Sequence, residues 1–203
     1  MNLNFLEELN VRGHLTISKV YENNAEEVIF DDHNIIVSGM GVALAHMFAI
    51  SGSNSILDYQ IDRFQVGVSG SSAREVVSTN FINGPLSSIV EYVGDAGDIL
   101  VTSGYQVRNN AVVSVPLQYG LIPQHNITKV DSNTVRYTIF LDQESCNNLT
   151  RDGNAANLNE IGLFVKNIKG GTPVAPILVA YRYFSNVRKT SDFGLVFRWS
   201  LSF

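Results

Sequence analysis

Chemistry needs side chains that ionise, attack or ligate, and this chain holds few of them at workable spacing. Its four histidines are His14, His33, His46 and His125, and none sits at metal-ligand distance from another along the chain. His46 lies in an apolar stretch with no histidine at i+3 or i+4, so it reads as a packed or half-exposed side chain. Asp31-Asp32-His33 reads as an acidic turn after a strand and lacks a third defined cation ligand. The run Arg151-Asp152-Gly153-Asn154-Ala155-Ala156-Asn157-Leu158-Asn159-Glu160 is rich in oxygen ligands. It lacks the D-x-[DN]-x-[DN]-G spacing of a calcium loop, and Asx turns between two strands account for it. Cys146, the one cysteine, follows Glu144-Ser145 with no histidine close in sequence to act as its base, so it reads as a plain thiol. A lone cysteine forms no internal disulfide and no cysteine zinc site. No GxSxG, P-loop or GxGxxG motif occurs. The carboxylate pairs Glu26-Glu27 and Asp95/Asp98 fall in turn-like, solvated places. The expectation is therefore no catalytic residue, no cofactor and no metal.

The elements around these residues follow period-2 alternation, because successive side chains of a strand leave opposite faces of the sheet. Phe193, Leu195, Phe197, Trp199, Leu201 and Phe203 form one apolar set, with Gly194, Val196, Arg198, Ser200 and Ser202 on the other face. Ile177, Val179, Tyr181 and Tyr183 make a second strand, and Val135, Tyr137, Ile139 and Leu141 a third. Shorter strands are expected at Leu15 to Tyr21, Glu27 to Asp31, Phe64 to Val68, Ala111 to Leu117 and Glu160 to Val165, separated by Gly/Asn/Ser/Asp turns. Residues 38–48 break the rhythm. Met40, Ala43, Leu44 and Met47 recur at i, i+3, i+4 and i+7, which predicts a helix capped by Ser38, with glycines that permit close packing on a sheet. The whole predicts a mainly β chain: an antiparallel β-sandwich or jelly-roll-like domain over 13–203 with one short helix, an N-terminal arm over 1–12 and a loop-rich excursion over 69–105.

Composition narrows the partners. The chain has 203 residues with 16% charged and 45% apolar, and a net charge of −5. An average soluble domain carries about 25% charged residues. Here Asn (20) and Ser (19) take their place, giving a weakly self-repelling surface of the kind found at interfaces. The acidic balance gives no electrostatic footprint for nucleic acid. The apolar stretch from Ile35 to Ile50, interrupted by Ser38, two glycines and His46, is too short and polar to span a bilayer. The N-terminal Met1 to Glu8, without a basic region or a long apolar run, does not read as a signal peptide. Charges are segregated: residues 1–62 hold nine acids and two bases, and residues 160–203 hold six bases and two acids. On different faces these would suit head-to-tail packing of copies; within one chain they would neutralise each other.

One segment carries a resemblance. Leu158-Asn159-Glu160-Ile161-Gly162-Leu163-Phe164, then Ile177-Leu178-Val179-Ala180-Tyr181-Arg182-Tyr183-Phe184, then Lys189-Thr190-Ser191-Asp192-Phe193 and Phe197-Arg198-Trp199-Ser200-Leu201-Ser202-Phe203 resemble the E-x-GLF … ILxAYRxF … KTSDFxLxxxWxIxF ending of small β-rich virion proteins of tailed bacteriophages. Asp32 to Gly41, leading into a helix, is similar to the front of such proteins. The resemblance spans residues 28–50 and 158–203 and implies a structural role in a tail, baseplate, fibre attachment or neck, in a virion assembled in the bacterial cytoplasm, with no catalytic residues.

The resulting expectation is a non-enzymatic structural protein. Its partners would be other virion proteins and copies of itself in a trimer or hexameric ring, with no nucleic acid, membrane or small-molecule substrate. Leu3, Phe5, Leu6, Leu9, Arg182, Arg188 and Lys189 are the expected contact residues. The alternative is a carbohydrate- or receptor-binding β-sandwich module using Tyr92, Tyr105 and Tyr119 as stacking platforms. A carboxylate hydrolase has only the presence of carboxylates behind it.

Overall fold

The computed structural model describes residues 11–49, 55–68, 70, 105–108, 111–114, 120–148, 150–151, 154–166, 168–169, 172–173 and 176–203. The strands are β1 (Arg12–Tyr21), β2 (Glu26–Ile36), β3 (Ile61–Gly67), β4 (Tyr105–Arg108), β5 (Ala111–Ser114), β6 (Gly120–Leu121), β7 (Ile127–Lys129), β8 (Thr134–Leu141), β9 (Thr150–Arg151), β10 (Asn154–Ala155), β11 (Leu158–Val165), β12 (Ile168–Lys169), β13 (Thr172–Pro173), β14 (Ile177–Val187) and β15 (Phe193–Ser202). Among the described residues there is one α-helix, Gly39–Phe48, with 3₁₀ turns at Ile56–Tyr59 and Gln124–Asn126. The fold is mainly β and antiparallel, as the alternation predicts. Its main body is one continuous nine-stranded sheet in the order β6-β3-β11-β14-β2-β1-β15-β8-β7, and β4–β5, β9–β10 and β12–β13 are separate short pairs.

The sheet curls so that its two halves share an interior. In the ladder, Phe30, Ile17, Phe197 and Ile139 form one row across β2, β1, β15 and β8. Phe184 of β14, separated from β15 by two strands in sheet order, packs edge-on against Phe197 at 6.1 Å and lies tilted against Phe30 at 6.3 Å. A flat sheet would not bring those rings together. The interior holds Leu15, Leu195, Trp199 and Leu201 from one half and Phe64, Val66, Ile161, Leu163 and Val179 from the other. β11 is buried along all eight residues, which requires cover on both faces. Phe164 forms part of a second small cluster with Val37, Leu178 and Tyr181.

β15 buries Phe193, Leu195, Phe197, Trp199 and Leu201 on the expected alternation. Phe203, expected to complete the set, is 43% exposed because the β1–β15 ladder ends at Arg12 opposite Ser202. The helix lies where its period places it, burying Met40 and Ala43. A Cβ on Gly39 would come 1.8 Å from the Leu178 carbonyl oxygen, so only glycine lets the first turn abut β14. Ser38 makes no side-chain cap: its own φ of −55° and ψ of −23° are helical, which turns the hydroxyl away from the free amides. Asp31-Asp32-His33 is no turn but the middle of β2, paired with Thr16, Leu15 and His14. Asp31 accepts a hydrogen bond from Thr16 (2.6 Å) and Asp32 one from Arg182 (2.7 Å), which offsets the poor strand propensity of aspartate.

The buried indole sets a further constraint. Trp199 Nε1 donates to Asn34 Oδ1 at 2.6 Å, although β1 runs between β2 and β15. The amide crosses above Gly13, where a Cβ would lie 1.9 Å from Asn34 Oδ1. Gly13→Ala displaces the amide and Asn34→Leu removes it, and either leaves a buried N–H unpaired, at a cost of about 1–3 kcal/mol. Urea denaturation of the two variants and the double variant should show strong coupling, the double costing much less than the sum.

Candidate functional site

Part of the charge segregation resolves within the chain, where two bases of the C-terminal region meet acids of β2. Arg198 of β15 forms a forked pair with Glu26 of β2, with its Nη2 3.1 Å from Oε2. Arg182 of β14 reaches Asp32 of β2 at 2.7 Å and lies over the Phe30 ring at 5.1 Å. Lys19 meets Glu27 at 3.3 Å, and Tyr21 donates to the same carboxylate at 2.7 Å. The hydrogen bond from Arg198 holds the Glu26 carboxyl below its ordinary range. The bond from Tyr21, then Lys19, does the same for Glu27. Arg182, expected on a partner interface, is thus spent on an internal ion pair.

Lys189, also expected on an interface, is 1% exposed. Its ammonium donates to Thr190 O (2.8 Å), Asn147 Oδ1 (2.9 Å) and Gln143 O (3.3 Å). Its own carbonyl accepts from Asn148 N at 3.0 Å. An ammonium has three donors, and these oxygens meet them, two from the turn that follows β8 and one from its own chain neighbour. That turn is further fastened by Asp142, which accepts from Ser145 Oγ at 2.6 Å and Glu144 N at 3.0 Å. Cys146 sits inside it, fully buried, with φ at +60°. Lys189 is therefore a clasp, and no polarity pattern in the sequence could reveal it, since two of its acceptors are backbone carbonyls.

Arg188 is exposed. It borders a hollow of about 370 Å³ with Lys19, Phe30, Phe184, Asn186 and Phe193. A second hollow of about 450 Å³ is lined by Arg12, His14, His33 and Asn133 among others. There His14 and His33 face each other edge-on at 5.5 Å, which their spacing in sequence did not suggest; β1–β2 pairing brings them together. His46 stacks on Tyr59 at 5.0 Å. His125 lies in the 3₁₀ turn before β7. Asn159 and Glu160, read as loop oxygens, belong to β11 and are buried. Asn159 pairs with Gly70 and Asn186, and Glu160 accepts from Tyr181 at 2.6 Å. Leu3, Phe5, Leu6, Leu9, Tyr92 and Tyr119 lie outside the described residues, and Tyr105 opens β4. Most of the 69–105 excursion likewise lies outside them.

Comparison with known proteins gives no match among family models, curated proteins or solved structures. Among the described residues no group of three His, Cys, Asp or Glu side chains is placed to hold a metal ion, and no helix is long and apolar enough to cross a membrane.

Two outcomes follow from this arrangement. Lys189→Met strips three oxygens of their donor and should cost about 2–3 kcal/mol. It should also let a thiol reagent label Cys146 before global unfolding, whereas the wild-type thiol reacts only on unfolding. For pH, Glu26 and Glu27 have folded-state values lowered from 4.5. Their stabilisation is complete above that value and is lost as pH falls through the lower folded-state values. Melting temperature should therefore drop on acidification below about 4.5, and Glu26→Gln should flatten the drop.

Proposed function

We propose that the chain is a non-enzymatic structural component of a tailed-bacteriophage virion, in the tail, baseplate or neck, that assembles with copies of itself and with other virion proteins. From such a position it would also serve to attach fibres. The observation that carries this reading is a self-sufficient core combined with large apolar side chains left outside it: Phe48 at 79% exposure, Leu121 at 67%, Leu57 at 57%, Ile56 at 54% and Phe140 at 52%. Phe48 ends the helix, and Ile56 and Leu57 begin the 3₁₀ turn that contacts it. Apolar surface gathered on adjoining elements, on a chain with little charge to keep copies apart, favours association.

Two further features support the reading. Among the described residues β7 pairs with β8 only at Val135, Arg136 and Tyr137, leaving the rungs from Thr138 to Leu141 without a strand partner on that side, and an open edge invites another strand. The segments that resemble phage virion proteins are β11, β14 and β15, with β2 and the helix, the strands and helix that frame the core. With Arg182 and Lys189 engaged internally, the apolar patch and Arg188 join Leu3, Phe5, Leu6 and Leu9, which lie outside the described residues, as the proposed assembly contacts.

Light scattering on the purified chain should give a trimer or hexamer. The double variant Phe48→Lys/Leu57→Lys should weaken self-association at least tenfold with stability within about 0.5 kcal/mol of wild type, as expected of surface changes. A chain that stays monomeric alone and in the presence of other virion proteins would overturn the reading.

A further inference from the structure

An apolar cavity of about 250 Å³ lies between the helix and the adjoining end of the sheet interior. The helix contributes Met40, Ala43 and Met47, and the strands contribute Ile61, Val165 and Tyr137. No Lys, Arg, His, Asp or Glu side chain lines it. Its walls are thus hydrocarbon with a very small polar share, a composition that suits an uncharged ligand.

Tyr137 supplies the second observation. It is only 6% exposed, yet its hydroxyl makes no hydrogen bond to any described residue. Burial alone pushes its ionisation up to about 12. A buried tyrosine hydroxyl usually finds a partner, and leaving it without one is costly. Tyr137 is itself one of the residues that line the cavity. Gln60 adds an amide to the lining.

We propose that this cavity is a binding site for a small uncharged molecule, mostly hydrocarbon, carrying one oxygen acceptor that takes the Tyr137 hydroxyl proton in a hydrogen bond. An apolar cavity of about 150 Å³ holds benzene, so by simple scaling this one holds about ten non-hydrogen atoms, the size of a small aryl ketone or a medium-chain aldehyde. A carboxylate or amine is excluded because it would enter without a counter-charge in the walls. The site adjoins the exposed apolar patch through the helix and the 3₁₀ turn, but it does not rest on the virion reading.

The test pairs acetophenone with α-methylstyrene, which has the same shape with C=CH₂ in place of C=O. Binding to the full chain is read by ligand-observed NMR titration. Both should bind saturably, acetophenone about fivefold more tightly, as one net hydrogen bond of about 1 kcal/mol implies. Tyr137→Phe should erase that preference and leave α-methylstyrene unchanged. Ala43→Leu should abolish both by filling the cavity. Because overfilling can unfold a core, Met47→Phe is a second filling variant, with circular dichroism to check the fold. No saturable binding of either probe would overturn the proposal, as would binding that survives both filling variants or a ketone preference that survives Tyr137→Phe.

Discussion

The fold rests on a narrow seam. Four strands lie on one side of the sheet and five on the other, and they are joined where the last residues of β2 meet β14: Ile36 opposite Ala180 and Ile35 opposite Tyr181. One further bond, Val37 N to Val179 O at 3.1 Å, extends the join toward the helix. So short a ladder cannot fix the angle between two halves, since each backbone hydrogen bond adds only about 1 kcal/mol net. Side chains fix it. Phe184 wedged against Phe30 and Phe197, and Arg182 tied to Asp32 while lying on Phe30, close the halves around the common core. β2 is long because it must serve both neighbours, and its acidic residues are tolerated because each faces a base or hydroxyl delivered by another strand.

The polar interior has the same logic at smaller scale. The indole of Trp199 has its acceptor only because Gly13 leaves a slot for Asn34. The ammonium of Lys189 has the Gln143 and Asn147 oxygens only because the turn after β8 wraps around it. Both are cases where a buried polar group would be costly alone and is harmless when met. The Tyr137 hydroxyl breaks that pattern, which is why the cavity beside it draws attention as a site rather than as a packing flaw.

Much of this was legible in the sequence. A buried face repeated every second residue left an unmistakable trace in Phe193 to Leu201 and in Tyr137 to Leu141, and the i, i+3, i+4, i+7 stripe marked the helix. What escaped reading depends on distant partners. Asp31-Asp32-His33 resembles a turn until Arg182 arrives from 150 residues away. Lys189 resembles surface until the carbonyls around it are known. The charge asymmetry was visible, but whether acids and bases would meet within one chain or between copies depended on β2, β14 and β15 lying close together. The cavity had no signature at all, because a void is a difference of volumes between elements and belongs to no residue.

The pairing of β1 with β15 joins strands from far-separated stretches of the chain, so β1 leaves the ribosome well before its partner. At ordinary translation speeds, β1 is exposed for on the order of ten seconds or more before its partner exists. β2 can cover one edge almost at once, but the other edge, with Leu15 and Ile17 on its apolar face, must wait. The nascent chain thus carries an unfinished sheet while the residues between β1 and β15 are made, and its yield in a cell depends on whatever shields that edge until β15 is made.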